Sequence, residues 1–168
     1  MISVLSMTPM ILFRFKSYKH HDFIASHNSV CKLNGSSWMM KAGKRTSIEK
    51  INNVLENGGW MILRSPKSEG SKSYLAHFSE FTEKLPSDGN YPAYYQEILE
   101  EENDEVFSMY NDYQWFHLTQ IYTLPEKYNP EIVLSNTQKP IDEIIGTTRT
   151  AVMFVVNRVA ININDDKQ

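Results

Sequence analysis

The stretch Thr46-Ser47-Ile48-Glu49-Lys50-Ile51-Asn52-Asn53-Val54-Leu55-Glu56-Asn57-Gly58-Gly59-Trp60-Met61-Ile62-Leu63-Arg64 holds a helix and a strand with a defined stop between them. Thr46 and Glu49 have capping-box spacing, in which a hydroxyl and a carboxylate satisfy free backbone donors at a helix start. Ile48, Ile51, Val54 and Leu55 then share one face at helical spacing. Asn57-Gly58-Gly59 supplies a left-handed exit, and residues 60–64 read as a strand.

Towards the C-terminus, Tyr74–Phe81 reads as a second strand. The polar connection Pro66–Lys72, with Gly70, makes the pair an antiparallel hairpin with a long loop. Leu85–Tyr91 is a turn-rich connection, and Pro92–Glu102 is a helix with proline in its first turn, where the missing donor costs nothing. Tyr113–Leu124 is the longest strand, aromatic on both faces, and Pro125–Pro130 turns out of it. Ile132–Leu134 is a brief strand, and Lys139–Gly146 a helix of one to two turns. Thr148–Val156 is apolar on both faces, which predicts an interior strand. Residues 157–168 turn polar and are expected to fray.

Towards the N-terminus, Ser37–Lys41 is a short strand or extended segment. His20–Val30 is a short helix or turn, stopped by Asn34-Gly35. Met10–Ser17 is a strand with Phe13, Phe15 and Ser17 facing one way and Arg14 and Lys16 the other. Met1–Phe13 lacks a basic leading region and is broken by Pro9. It reads as a short leader rather than a signal peptide, with Met7 or Met10 as alternative starts. Strands outnumber helices and no linker divides the chain. The expectation is one α+β domain over residues 1–168, with a core over about 10–156 and a polar tail over 157–168. The sheet is expected to be strongly curved or closed into a barrel, with helices packed outside.

A chain of 168 residues can bury a sizeable core. A lone cysteine, Cys31, excludes an internal disulfide and fits a cytoplasmic protein, and the apolar runs are too short to span a bilayer. Charge is uneven along the chain. Residues 1–74 carry 11 Lys and Arg against 4 Asp and Glu, whereas residues 75–168 carry 6 against 16. Such polarity suits a protein that turns one face to a polyanion, provided the sequence halves remain separate in space.

No phosphate loop, dinucleotide fingerprint, nucleophile elbow or kinase signature occurs. No cofactor is implied. Backbone N–H groups at the helix start after Lys41-Ala42-Gly43-Lys44-Arg45-Thr46 are suited to one phosphate, and a plain cationic loop is the other reading of that segment. His20-His21-Asp22 has adjacent side chains that diverge, and no HxxxH pair supports them as metal ligands. Trp38, Trp60 and Trp115 each lie beside strand-like sequence. A base held on aromatic faces gains about 1–3 kcal/mol by stacking, yet most tryptophans in small domains fill the core. Trp60, followed by Met61-Ile62-Leu63, reads as core. Trp38 is a candidate ligand wall, and Trp115 lies between the two readings.

The order Phe15-Lys16-Ser17, Trp38, a helix, Gly59-Trp60-Met61-Ile62-Leu63-Arg64-Ser65, Tyr74-Leu75-Ala76-His77-Phe78, Trp115-Phe116 and then residues 134–153 resembles the PUA-like superfamily. The likeness is to EVE domains and their YTH relatives in particular. Late in the chain, Lys139-Pro140-Ile141 and Thr148-Arg149-Thr150-Ala151-Val152 stand where those families have a Pro-Leu-like segment and a closing strand. The chain departs from the pattern where Trp60 follows Gly59 in place of an acidic residue. It departs again where Leu75-Ala76-His77 replaces a glycine, and where the Arg-Asn after the tryptophan is missing. The resemblance implies a non-catalytic reader that binds a modified base, such as a methylated or hydroxymethylated one, in an aromatic pocket. It would place Lys16 and Ser17 on the pocket floor, Trp38 as the stacking wall and Ser65 on the base edge. Trp115 is a further pocket candidate.

From charge, Arg14, Lys41, Lys44, Arg45 and Arg64 are the expected phosphate contacts, because neutralised phosphates supply sequence-independent affinity. The partner is then DNA or RNA with a modified base, with a protein effector as a possible second partner. Two other classes stay open. One is an interaction protein using the acidic Glu97–Glu105 region, and the other a small hydrolase or transferase.

Overall fold

The computed structural model describes residues 1–102 and 113–164. The fold is α+β, with a mixed seven-stranded sheet, a separate two-stranded sheet and small helices. In chain order the elements are β1 (Ile2–Val4), β2 (Pro9–Arg14), α1 (Phe23–Asn34), β3 (Ser37–Lys41), α2 (Ile48–Glu56), β4 (Trp60–Arg64) and β5 (Ser73–Thr82). There follow α3 (Tyr95–Glu102), β6 (Gln114–Thr123), β7 (Ile132–Leu134), α4 (Ile141–Ile144), β8 (Val152–Asn157) and β9 (Ile161–Ile163).

The large sheet runs β3-β6-β5-β4-β2-β8-β7. Only β2 and β4 pair in parallel, Ile11 opposite Met61 through Arg14 opposite Arg64. The chain passes between them through α1, β3 and α2. The β4–β5 pair is the expected antiparallel hairpin, Trp60 opposite His77 and Arg64 opposite Ser73. As its two apolar faces require, β8 is interior, with β2 on one side and β7 on the other. The sheet is open: β3 and β7 stand at its two ends and do not pair with each other. Of the two expected forms, a strongly curved sheet or a closed barrel, the closed barrel is not formed by the described strands.

Alternation along the strands divides the core between the two faces. Ile11, Phe13, Met61, Leu63, Ala76 and Phe116 point to one face and pack with Ile51 and Val54 of α2 and Phe23 of α1. Met10, Leu12, Ile62, Leu75 and Val155 point to the other, under α4 and the β1–β9 sheet. Beyond that patch lies a third cluster, Trp38, Met40 and Trp115 against Tyr94 and Tyr95 at the start of α3.

Several local readings change in the structure. The cap of α2 is Ser47, whose Oγ accepts from the Lys50 N–H at 3.4 Å. Thr46 is instead buried one residue earlier, where Gln114 grips its backbone N–H at 2.8 Å and its carbonyl at 2.9 Å. The leader and residues 157–164 of the polar tail are also more ordered than expected, while residues 165–168 lie outside the described residues. Ile2–Val4 pairs antiparallel with Ile161–Ile163, and this ribbon buries Val4, Ile161 and Ile163. α1 runs on to Asn34 and ends on Gly35 at φ 81, a left-handed exit that glycine takes without cost. No helix of the described residues is long and apolar enough to cross a membrane.

Candidate functional site

All five residues of β3 are buried although it is an edge strand. Its outward N–H groups are covered rather than left as a template for further pairing. The Trp38 N–H donates to the Asn90 carbonyl at 2.8 Å, and the Met40 N–H donates to the Tyr95 hydroxyl at 3.2 Å. Tyr95 in turn lies 2.6 Å from His27 Nε2, and His27 Nδ1 lies 2.7 Å from the Phe23 carbonyl. Because a carbonyl only accepts, Nδ1 carries the proton and Nε2 accepts from Tyr95. Burial holds the imidazole neutral, lowering its pKa to about 4, against a smaller opposite effect of the Phe23 carbonyl. Burial likewise raises the Tyr95 hydroxyl well above its usual range. This relay ties α1, β3 and α3 together.

The relay supports the back of an open cavity of about 540 Å³ between the end of β2, the 16–19 segment and α3. That volume falls in the range of small-molecule sites. Phe13, Phe15, Phe23, Met40, Tyr94 and Tyr95 form its apolar lining. Phe15 and Phe23 stack at 4.4 Å and 12°. Tyr18, half-buried, lies parallel to Tyr94 at 5.9 Å. His21 stacks on Tyr94 from the same side at 4.9 Å.

Tyr18 is held by Glu101 of α3, to which its hydroxyl donates at 2.7 Å, while Lys19 pairs with the same carboxylate at 3.1 Å. The Tyr18 hydroxyl bond, then the Lys19 bond, lower the Glu101 pKa. Lys16 and Arg14 complete the rim.

A second open cavity, of about 680 Å³, adjoins the first. Ala42 lines both. The Arg14 Nη1 donates at 2.7 Å to the carbonyl of Thr148, just before the 149–151 segment that walls the second cavity. Lys41, Lys44, Arg45, Lys50 and Arg149 line it, and no carboxylate does. Four of these cations come from the basic N-terminal half and Arg149 from the acidic half, while Lys19, Arg45 and Arg64 pair with acidic-half carboxylates, so the two halves mix in space.

The candidate residues fall into three groups. Arg14, Lys16 and Ser17 line the aromatic cavity, and Lys41, Lys44 and Arg45 the basic groove. Some of these are already engaged. The Ser17 Oγ donates to Glu69 at 2.6 Å and accepts from the Phe23 N–H at 3.2 Å, so it fixes the turn into α1. The Lys41 ammonium is buried against the carbonyls of Ala42 and Lys44, and burial lowers its pKa. Arg45 pairs with Glu83. Lys44 and Lys50 are exposed.

Trp38 and Trp115 lie behind the site rather than on its surface. Trp115 is 1 % exposed among Tyr91, Tyr95 and Tyr113. Trp38 is 6 % exposed and stacks on His117 at 4.3 Å and 13°. His117 is fixed in turn by Ser36 Oγ at 2.8 Å and Glu80 at 3.1 Å. That hydroxyl–imidazole–carboxylate order is the one used by serine nucleophiles. The Ser36 Oγ also accepts from the Asn90 amide at 3.0 Å, Glu80 is mostly exposed, and the imidazole stacks on Trp38.

Ser65 and Arg64 are set apart from the groove. Ser65 accepts from the Lys72 N–H at 2.7 Å, closing the β4–β5 loop. Arg64 is buried and donates to Asp142 of α4 at 2.8 Å and to Ser73 at 3.1 Å. Of the acidic Glu97–Glu105 region, Glu97, Glu100 and Glu101 lie on α3 beside the aromatic cavity, and residues 103–105 fall outside the described residues. Sequence reasoning passed over Tyr18, Tyr94, Tyr95 and Arg149. The Tyr94-Tyr95 pair at a helix start was a visible signal. Neither Tyr18 nor Arg149 had a local one.

No family model, curated protein or solved structure matches this chain.

Proposed function

We propose that this protein is a non-catalytic nucleic-acid-binding module that receives one base in the aromatic cavity while the adjoining basic groove holds the flanking phosphates. The observation that carries this reading is the contact of the two cavities at Ala42. One is lined by aromatic rings and the other by five cations, of which Arg45 pairs with Glu83 and Lys41 is turned to backbone carbonyls. Stacking on π-faces together with a cationic track is the pairing that single-stranded or extruded bases require. Tyr18 is half-buried, with Tyr94 stacked against its ring and the Lys19 ammonium 5.0 Å from its centroid; a base displacing Lys19 would stack there, in the place that the family resemblance would give to Trp38. The PUA-like, EVE-type likeness of the sequence supports a modified base as the preferred ligand.

Fluorescence anisotropy tests the reading. Short DNA and RNA strands, unmodified or carrying cytosine or adenine modifications, are titrated at low and moderate salt. Binding that weakens with salt, prefers one modification and loses that preference in Tyr18→Ala is the expected result. Each phosphate contact contributes a slope of roughly 0.7 in log affinity against log salt for a single strand. No binding to any strand at low salt overturns the proposal. In that event a protein partner on the acidic α3 face becomes the reading to pursue.

A further inference from the structure

A third cavity, of about 660 Å³, continues the basic groove on the side away from the aromatic pocket. Lys50, Val152 and Phe154 line both. Its walls come from α2, β8 and the residues after β7. Its polar groups include the neutral side chains of Asn53, Ser135 and Asn136, with Glu49 as its carboxylate. Phe154 lies only partly buried on β8, and the Lys50 ammonium sits 5.3 Å from its ring centroid. The chemistry therefore alternates along one continuous channel: an aromatic pocket, then cations without a carboxylate, then an aromatic ring with neutral donors and acceptors.

The spacing is set by the sheet. Phe13, in the first pocket, pairs with Val152 on the neighbouring strand, and Phe154 lies two residues further along. Phe13 and Phe154 share a face. Two strand residues and one inter-strand step separate their backbones by about 8 Å. The cationic groove opens between them.

Building on the base-reading proposal, we infer that Phe154 is a second base platform, and that the ligand is single-stranded nucleic acid engaged through at least two successive nucleotides. The first base occupies the aromatic pocket, the linking phosphate lies on Lys44 and Lys50, and the neighbouring base stacks on Phe154. There it meets the amides of Asn53 and Asn136. Reading by stacking and amides at this second position is tolerant of sequence, so it adds affinity more than selectivity.

The test compares a modified mononucleotide, the corresponding dinucleotides with the extra base on either side, and a longer strand with its duplex. Each is titrated against the wild type, Phe154→Ala and Phe154→Leu. The leucine variant keeps apolar volume at the half-buried position, and thermal melts confirm that both variants are folded. One dinucleotide should bind the wild type roughly 5- to 150-fold more tightly than the mononucleotide, the range one stacked base supplies. In both variants the ratio of dinucleotide to mononucleotide affinity should fall towards one, and the duplex should bind more weakly than the strand. Equal affinity for mononucleotide and both dinucleotides, or a dinucleotide gain that survives in both variants, overturns the second platform and leaves base reading intact. Failure of every ligand to bind overturns both.

Discussion

Replacing His27 by glutamine should flatten the acid limb of the protein's stability curve. His27 is fully buried, donates to the Phe23 carbonyl and accepts from Tyr95, and its pKa in the fold is about 4. In the unfolded chain an imidazole titrates near 6.5, so between about pH 4 and 6.5 the unfolded state holds more protons than the folded one. Stability from this group is therefore complete above about pH 6.5 and declines as the pH falls towards 4. Across that window the loss is about 3 kcal/mol.

Urea unfolding at intervals of pH measures the effect in wild type and His27→Gln. The variant should start lower at neutral pH, because glutamine does not reproduce both hydrogen bonds. It should then lose about 3 kcal/mol less on acidification, since the carboxylates and His77 titrate in both proteins and cancel in the difference. Parallel curves over the whole window would refute the buried neutral imidazole and the relay built on it.

Three further outcomes follow from the packing. Gly59 sits at φ +70, and a Cβ there would lie 2.3 Å from the Phe78 carbonyl oxygen, so Gly59→Ala should cost at least about 2 kcal/mol in urea unfolding. Asp142→Ala should destabilise by about 2 kcal/mol by leaving the buried Arg64 guanidinium without its carboxylate, and Arg64→Met should cost less. Thermal melts of the two variants decide the order. Ser47→Ala should cost about 1 kcal/mol and Thr46→Val clearly less, because the α2 cap is the Ser47 hydroxyl; chemical denaturation of both variants locates the cap.

The parts of the fold that were legible in the sequence are those with dense local signals. The α2 stripe and its glycine exit, the β4–β5 hairpin and the two-faced β8 each carry their periodicity within a few residues. The β1–β9 ribbon joins two three-residue strands from opposite ends of the chain, and nothing near Ile2 or Ile161 announces that pairing. The open sheet was hidden for a similar reason, because closure depends on how end strands meet and no local pattern encodes it. At the site, the cations of the Lys41–Arg45 segment lie together because they are adjacent in sequence, whereas Arg149 reaches them only through the β2–β8 register. Arg64 looked like a phosphate contact because a strand's last residue does not declare its face. Its side chain turns towards Asp142. Trp38 drew attention by its basic neighbours, yet a buried edge strand carries it inward, and the ring at the cavity mouth is the half-buried Tyr18 in the loop beyond β2.

Occupation of the aromatic cavity by a base is read at the binding residues themselves by backbone amide chemical shifts of the labelled protein. Titrated with the modified nucleoside preferred in the anisotropy panel, the amides of Phe15–Lys19, Met40–Ala42 and Tyr95–Ile98 should shift together and saturate along one curve. Shifts centred elsewhere, or none up to the nucleoside's solubility limit, would contradict the claim.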